Sequence, residues 1–118
     1  MGILKSVLVC GDRNWTDKDK IRKRLQDIPR HMEIIVGGAR GADRIAEDVA
    51  VQLGFSVNIY YAQWDKFGRS AGPIRNREML DQKPDLVIAF HSNISESKGT
   101  RDCVMEAQKR GIPTEIIV

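Results

Sequence analysis

The sequence predicts an α/β protein, a Rossmann-like three-layer α/β/α sandwich around a central, mainly parallel five-stranded sheet. Two observations predict this fold class. Short apolar runs alternate with amphipathic helical patterns along the whole chain. Several of these runs are apolar at nearly every position, which is typical of strands covered on both faces. Right-handed crossovers between parallel strands then place helices on both sides of the sheet.

The first strand is predicted at residues 7–10 and ends in glycine. The first helix is predicted to open at Thr16, where Asp19 three residues later forms a capping-box arrangement. Apolar residues recur at helical spacing as far as Ile28, and Pro29 then ends the pattern.

The next units repeat this alternation. The second strand is predicted at 33–36, and residues 42–53 form the clearest helical pattern before Gly54. Residues 55–60 alternate in polarity and predict the third strand. This pattern does not indicate the order of the strands in the sheet.

The second half of the chain predicts two further helices and two strands. Pro73 suits the first turn of a helix that runs to about Gln82. A fourth, mostly apolar strand is predicted at 85–90 and a last helix at 100–111. Residues 113–118 predict the fifth strand.

Composition indicates one globular domain over residues 1–118. A hydrophobic fraction of 42% and a charged fraction of 30% are ordinary for such a domain. No apolar run approaches the roughly 18 residues of a membrane span, and the start of the chain lacks the features of a signal peptide. We therefore expect a cytoplasmic protein with no membrane partner. Cys10 and Cys103 are interpreted as small buried side chains.

The charge balance favours an anionic ligand. The net charge is +3 and the isoelectric point is about 9.0. The densest basic segment, residues 18–24, is interrupted by an acidic and an apolar residue. It is therefore interpreted as a solvated helix face, and nucleic acid is not the favoured partner. The two cysteines and two histidines show no metal-ligand spacing, so no metal site is predicted.

Unusual residues concentrate where the predicted strands end. In an open parallel sheet, ligands bind beyond the carboxyl ends of the strands. Each of the first four strands is followed by a loop that places glycine beside a cation or a hydroxyl group. We predict a ligand-binding site formed by Gly11, Asp12, Arg13, Trp15, Gly37, Gly38, Ala39, Arg40, Gly41, Ala42, Asp43, Trp64, Arg69, Gly72, Pro73, Arg75, Asn76, Gly99 and Thr100.

These residue types suit a bound phosphate. Glycine allows close approach of the backbone, and the first N–H groups of a helix have no partner within it. Together with the helix dipole they favour an anion, and arginine adds charge-assisted hydrogen bonds. Alternatives stay open at single residues. Trp15 and Trp64 are also typical of packing at the edge of a core, and Asp43 fits either a helix cap or an acceptor from ribose.

The loops together resemble the YspA-like SLOG family. The resemblance rests on three segments, at residues 11–15, 37–43 and 64–79, and extends to 85–90, Gly99-Thr100 and 107–113. It implies a single SLOG-type Rossmann-like domain that senses or processes a nucleotide-derived ligand. Members occur in bacteria and bacteriophages. The wider superfamily is similar to the lysine decarboxylase-like phosphoribohydrolases and to the DNA-processing protein DprA.

One departure separates this chain from the phosphoribohydrolases. That branch carries Gly-Gly-x-Gly-Thr-x-x-Glu, and its glutamate acts on the bond between ribose and base. Here Cys103 occupies the position of that glutamate, and Ser97-Lys98 replaces the preceding glycine pair. The resemblance therefore implies binding chemistry more strongly than hydrolysis.

Three functions follow as hypotheses. The favoured one is a sensor or sequestering domain for an ADP-ribose- or AMP-like molecule. The alternatives are a hydrolase that cleaves an N-glycosidic or phosphate-ester bond, with Asp12, Asp43 or Asp102 as its carboxylate, and a DprA-like nucleic-acid-binding module. No cofactor is firmly implied, Mg²⁺ held through ligand phosphates stays open, and so does a homo-oligomer.

Overall fold

The structure, a computed structural model, describes residues 4–118, so the first three residues of the predicted domain lie outside it. Strands and helices alternate along the chain. In order they are β1 (Ser6–Gly11), α1 (Lys18–Leu25), β2 (Glu33–Gly37), α2 (Ala42–Gln52), β3 (Val57–Tyr60), α3 (Trp64–Phe67), α4 (Ala71–Leu80), β4 (Leu86–Phe90), α5 (Gly99–Lys109) and β5 (Thr114–Ile117). Short 3₁₀ helices cover Gly68–Ser70 and Ile94–Glu96.

The five strands form one sheet in the order β3-β2-β1-β4-β5, and every neighbouring pair is parallel. The predicted fold class is therefore confirmed. The chain adds strands on one side of β1 as far as β3 and then crosses to β4 on the other side. The order reverses between β1 and β4, where Gly11 lies opposite Phe90. Crevices for ligands form at such reversal points, beyond the carboxyl ends of the strands.

Alternate side chains of β1 enter two separate cores. Val7 and Val9 pack with α1 and α2 on one face of the sheet. Leu8 and Cys10 pack with α4 and α5 on the other face. Both sets are buried, which explains why the strand is apolar at consecutive positions. The result is the predicted arrangement of three layers.

The first helix begins later than predicted. Asp17, not Thr16, is its N-cap, and the Asp17 carboxylate accepts a hydrogen bond from the Lys20 N–H at 3.0 Å. The predicted capping box at Thr16 is therefore wrong. Asp at this position satisfies one of the free N–H groups of the first turn and also suits the helix dipole.

The segment before α4 is more helical than predicted. Helix α4 begins at Ala71, so Pro73 lies inside its first turn, where its missing N–H costs nothing. Helix α3 and the 3₁₀ turn after it were not predicted. They are short and exposed, and the segment shows no repeating apolar spacing that would have indicated them.

Within residues 4–118 there is no helix with both the length and the apolar character needed to cross a bilayer. Cys10 and Cys103 are both buried in the core beneath α4 and α5. Their placement agrees with the interpretation of small buried side chains.

Candidate functional site

A cleft of about 360 Å³ opens where the strand order reverses between β1 and β4. Its walls come from the loops after β1, β2 and β4, from the middle and second half of α4 and from the start of α5. We call it the polar cleft. It is lined by Cys10, Gly11, Asp12, Arg13, Asn14, Ala39, Asp43, Arg75, Asn76, Met79, His91, Glu96, Ser97, Lys98, Gly99, Thr100 and Cys103.

The start of α5 forms one wall of the polar cleft. Its N-cap residue, Lys98, makes no side-chain cap, and the Thr100 N–H donates to the Ser97 hydroxyl oxygen at 3.0 Å. A Cβ built on Gly99 meets no atom within 4 Å, so this position faces open space. The positive end of an 11-residue helix therefore faces the cleft beside a lysine.

The start of α2 is arranged differently. The Ala42 N–H, first in the helix, donates to the carbonyl oxygen of Asp12 at 3.0 Å. The Asp43 carboxylate turns back and accepts a hydrogen bond from the Ala39 N–H at 3.2 Å. Asp43 therefore stabilises the loop before α2 and does not cap the helix, whose N-cap is Gly41 without a side-chain hydrogen bond.

Asp43 is the most perturbed carboxylate that lines the polar cleft. It is buried, and burial raises its pKa from 3.8 to about 6, although the Arg75 guanidinium and the hydrogen bond from Ala39 act to lower it. Asp43 and Arg75 both approach Gly37. A Cβ built there would stand 2.7 Å from Arg75 Nη1 and 2.8 Å from Asp43 Oδ2. Gly37 is thus required by the packing of these two charged groups.

Asn76 is buried and ties α4 to α5. Its Nδ2 donates to the Gly99 carbonyl oxygen at 3.2 Å and to Asp102 Oδ2 at 3.1 Å. Its Oδ1 accepts from Arg75 Nε at 3.2 Å. With its amide engaged in this way, Asn76 orients Arg75 and fixes the start of α5 at the edge of the cleft.

Arg77 points away from the polar cleft. It forms ion pairs with Asp102 at 3.3 Å and with Glu106 at 3.2 Å, both on α5. The two arginines of α4 therefore have different surroundings. Arg75 lines the cleft and has no ion-pair partner among residues 4–118, whereas Arg77 joins two helices.

Asp12 and His91 face each other across the ends of β1 and β4. Asp12 Oδ1 accepts from the Asn14 N–H at 2.9 Å, and Asp12 Oδ2 lies 3.9 Å from His91 Nε2. His91 Nδ1 accepts from the Asn93 N–H at 2.9 Å, which places the proton of a neutral ring on Nε2. The Nε2–H group is thereby available to an acceptor at the edge of the cleft.

A second cleft of about 640 Å³ adjoins the first beyond β2 and β3. We call it the aromatic cleft. It is lined by Arg13, Gly38, Ala39, Arg40, Tyr61, Ala62, Trp64 and Arg75. The Tyr61 ring lies directly over Gly38, where any Cβ would collide with it. Tyr61 and Trp64 are 65% and 50% exposed, and the Arg13 guanidinium carbon lies 6.0 Å from the Trp64 ring centre.

The structure brings many of the predicted site residues to these two clefts. Those that line the polar cleft are Gly11, Asp12, Arg13, Ala39, Asp43, Arg75, Asn76, Gly99 and Thr100. Gly38, Arg40 and Trp64 line the aromatic cleft together with Arg13, Ala39 and Arg75. The predicted residues outside both linings are Trp15, Gly37, Gly41, Ala42, Arg69, Gly72 and Pro73.

Trp15 and Gly41 illustrate why some predicted residues lie elsewhere. The Trp15 ring packs 5.7 Å from Phe90, centre to centre, and its Nε1 donates to the Asp17 carbonyl oxygen at 2.9 Å. Trp15 therefore packs at the edge of the core, as the alternative to ligand binding for this residue predicts. Gly41 has φ +73°, and a Cβ there would collide with the carbonyl groups of Asp12 and Arg13. Glycine is required at position 41 because of this backbone conformation and because the loop after β1 leaves no room for a side chain.

Several lining residues were missing from the predicted set. The main ones are His91, Tyr61, Ser97, Lys98 and the two cysteines. His91 and Tyr61 each follow the end of a strand directly, so their position was a usable signal. A hydrogen bond to the Cys103 thiol, with burial, holds the pKa of Cys10 well above its ordinary value. This thiol therefore stays protonated and is a poor nucleophile.

No group of three or more His, Cys, Asp or Glu residues within residues 4–118 is placed to hold a metal ion.

Comparison with known proteins gives three findings. A model of the YspA, cpYpsA-related SLOG family matches residues 5–67. The Gene 61 protein of Mycobacterium phage D29 is 40% identical over an alignment of 119 positions, and the alignment covers 93% of this chain and 94% of the phage protein. Among solved structures, DNA processing protein A (DprA) from Streptococcus pneumoniae superposes with a TM-score of 0.80 at 18% identity.

The likeness to DprA covers 98% of this chain but 50% of that protein, so this chain spans about half the length of DprA. At this level of identity the likeness concerns the fold. The match of the family model over more than half of the chain, together with the phage relative, establishes the family. The chain belongs to the YspA, cpYpsA-related SLOG family.

Proposed function

We propose that the protein binds a phosphate-bearing, nucleotide-derived small molecule, of the ADP-ribose or AMP type, in the polar cleft. Binding of this kind makes it a sensor or a sequestering protein for that molecule. The family and the fold support a nucleotide-related role in general. The specific proposal depends on the geometry of the cleft.

The observation that carries the proposal is a convergence of positive groups at the point where the strand order reverses. Arg13, Arg75 and Lys98 line the same cleft, and none of them has an ion-pair partner in the described part of the chain. The N-terminal end of α5 faces the same space. An oxyanion placed there would receive backbone N–H groups and bidentate arginine contacts together.

The remaining groups of the cleft suit a sugar. Asp12 and Asp43 offer carboxylate oxygens, and His91 Nε2 offers a donor 3.9 Å from Asp12 Oδ2. A ribose hydroxyl both donates and accepts hydrogen bonds, so it matches such a mixed lining. Asn76 acts through Arg75 and Gly99, because its amide is already engaged.

A thermal-shift screen with AMP, ADP-ribose, NAD, cyclic ADP-ribose and single-stranded DNA tests the proposal. A ligand present at about 100 times its Kd adds roughly 2.7 kcal/mol to the unfolding free energy, which raises the melting temperature visibly. We expect at least one nucleotide to raise it and DNA to leave it unchanged. Stabilisation by DNA alone, lost between low and moderate salt, would favour the nucleic-acid alternative instead.

The basic face of α1 gives that alternative little support. Arg24 forms an ion pair with Glu115 at 2.6 Å, and Lys20 Nζ donates to the Val118 carbonyl oxygen at 2.7 Å. Two of the basic side chains of the segment therefore contact the last strand and the residue after it. The face is not an uninterrupted row of cations for a phosphate backbone.

Hydrolysis is a second candidate because of Asp43. A buried carboxylate with a pKa of about 6 at the wall of a cleft has the properties of a general acid or base. Incubation of the protein with ADP-ribose and NAD, followed by chromatography, tests this candidate. Product formation that Asp43→Asn abolishes, without loss of ligand binding, would make the protein an enzyme. Unchanged ligand after prolonged incubation supports binding without turnover.

A further inference from the structure

The polar cleft and the aromatic cleft share three residues, and two of these are arginines. Arg13, Ala39 and Arg75 line both spaces, so the two clefts meet along this line. Each space alone lies within the roughly 300–1,000 Å³ of an ordinary small-molecule pocket. A ligand that occupies both must therefore be elongated and negatively charged near its middle.

The aromatic cleft offers flat apolar surface. Tyr61 and Trp64 are its exposed rings, and the backbone of Gly38 forms its floor beneath Tyr61. Such rings bind planar bases by stacking, with little preference among bases. Carboxylates are absent from the lining of this cleft within residues 4–118, so it carries no group that would repel a neighbouring phosphate.

The shared boundary offers two guanidinium groups. Asn76 Oδ1 accepts a hydrogen bond from Nε of Arg75, and Nη1 of Arg75 lies 3.5 Å from the Tyr60 carbonyl oxygen. Arg13 reaches the same boundary from the loop after β1 and lies near the Trp64 ring. Two arginines that approach from different parts of the fold, the loop after β1 and helix α4, suit two linked phosphates better than one.

We propose that the ligand is a nucleoside diphosphate whose distal phosphate carries a sugar. Its base stacks on Tyr61 and Trp64, its pyrophosphate lies between Arg13 and Arg75, and its sugar enters the polar cleft beside Asp12 and Asp43. This inference rests on the proposed function and deepens it. It assigns the aromatic cleft to the base of the ligand and makes Tyr61 a base-binding residue.

Isothermal titration calorimetry with a whole ligand and its two halves tests the inference. ADP-ribose is long enough to enter both clefts, ADP lacks the distal sugar, and ribose 5-phosphate lacks the adenosine and one phosphate. UDP-glucose supplies the same architecture with a different base and sugar. We expect ADP-ribose or UDP-glucose to bind at least tenfold more tightly than either half, because only the whole ligand fills both clefts.

Substitution of Tyr61 separates the two clefts. Tyr61→Ala should weaken the whole ligand about tenfold or more and leave ribose 5-phosphate unchanged, since loss of a stacked ring affects the base alone. Tyr61→Phe keeps the ring and should bind like the unchanged protein. Retained binding of ribose 5-phosphate also shows that the Tyr61→Ala variant is folded.

Two results would overturn the inference in distinguishable ways. Equal affinity for a whole ligand and one of its halves, with no effect of Tyr61→Ala, leaves the proposed nucleotide-related function standing and removes the two-cleft ligand. No binding of any of the four compounds to the unchanged protein contradicts the proposed function and the inference together.

Discussion

Asp43 combines a structural and a chemical role in one side chain. Its carboxylate holds the turn before α2 through Ala39, and the same group lines the polar cleft beside Arg75. Burial favours its protonated form, so near pH 6 the charge of this cleft wall changes. A ligand phosphate close to Asp43 would be repelled less when the carboxyl is protonated.

Replacement of Asp43 by asparagine should change how stability depends on pH. The folded pKa, about 6, is above its ordinary value of 3.8, so the folded state holds the proton more tightly. The favourable contribution of Asp43 is complete below about pH 4 and is lost as pH rises through 6. At about 1.4 kcal/mol per pKa unit, the loss is about 3 kcal/mol.

Urea unfolding between pH 4 and 7 measures this difference. We expect the unfolding free energy of the unchanged protein to fall relative to that of Asp43→Asn across this range. Asparagine retains an oxygen for the Ala39 N–H and carries no charge, which makes it a close match. Parallel pH profiles for the two proteins would show that the carboxyl titrates normally.

Gly41 is needed for the fold of the loop. Its φ of +73° disfavours any residue with a Cβ, and the Cβ would collide with the backbone of Asp12 and Arg13. Gly41→Val should therefore lower the unfolding free energy by several kcal/mol. We expect a general loss of stability and not a selective loss of ligand binding. Thermal unfolding monitored by circular dichroism checks this. A melting temperature close to that of the unchanged protein would contradict the described loop.

Helix α4 places its two arginines in different surroundings. Arg75 faces the clefts and Arg77 faces α5, as expected for positions two residues apart on a helix. Arg75→Ala should weaken ADP-ribose binding about tenfold or more, since a hydrogen bond to a charged group contributes roughly 1.5–3 kcal/mol.

Arg77→Ala is the matched control on the same helix. Its partly exposed ion pairs contribute about 1 kcal/mol or less to stability, so the variant should stay folded. Because Arg77 faces α5 and not the clefts, the affinity for ADP-ribose should change less than about twofold. Calorimetric titration of both variants with ADP-ribose compares them directly. Equal losses of affinity would mean that the arginines act through general charge and would contradict the proposed geometry.

The start of α5 can be blocked without disturbing the fold. Gly99 lines the polar cleft, and a Cβ built there meets open space. Valine has a better helix propensity than glycine, so Gly99→Val should keep or slightly raise the melting temperature. Its methyl groups should lower ADP-ribose affinity at least tenfold by occupying the cleft. Undiminished affinity would place the ligand away from this helix.

The elements that the sequence predicted well have a regular apolar pattern. Strand β1 is apolar at consecutive positions because both of its faces enter a core. The apolar residues of α2 repeat with the helical period because one face of that helix enters a core. Helix α3 has four residues and none of them is buried, so it leaves no such pattern. The cap at Asp17 was missed because Thr16 and Asp17 are both good caps, and spacing alone does not separate them.

The candidate site could be predicted to the level of loops but not of side chains. The loops after β1, β2 and β4 meet because parallel strands place their carboxyl ends at one edge. The meeting of Asp12 with His91 depends on β1 lying beside β4, and strand order has no local signature in the sequence. Tyr61 directly follows β3, but no sequence pattern indicates that its ring lies over Gly38.

At the scale of the whole molecule, the reversal of strand order creates the site. Strands β2 and β3 extend the sheet on one side of β1, and β4 and β5 extend it on the other. The loops on the two sides diverge there, which leaves the polar cleft at the centre of one edge. A small α/β sheet with this order thus provides one position where an elongated anion contacts loops from both halves.

The most direct test of the proposed site is a nuclear magnetic resonance titration of isotopically labelled protein with ADP-ribose. We predict that backbone amide signals of Asp12, Arg13, Ala39, Gly99 and Thr100 shift, because these residues line the polar cleft. Signals of Lys83 and Arg110, around a separate depression beside the end of α4, should stay in place. Shifts confined to that depression, or no shifts at all, would contradict a nucleotide site in the polar cleft.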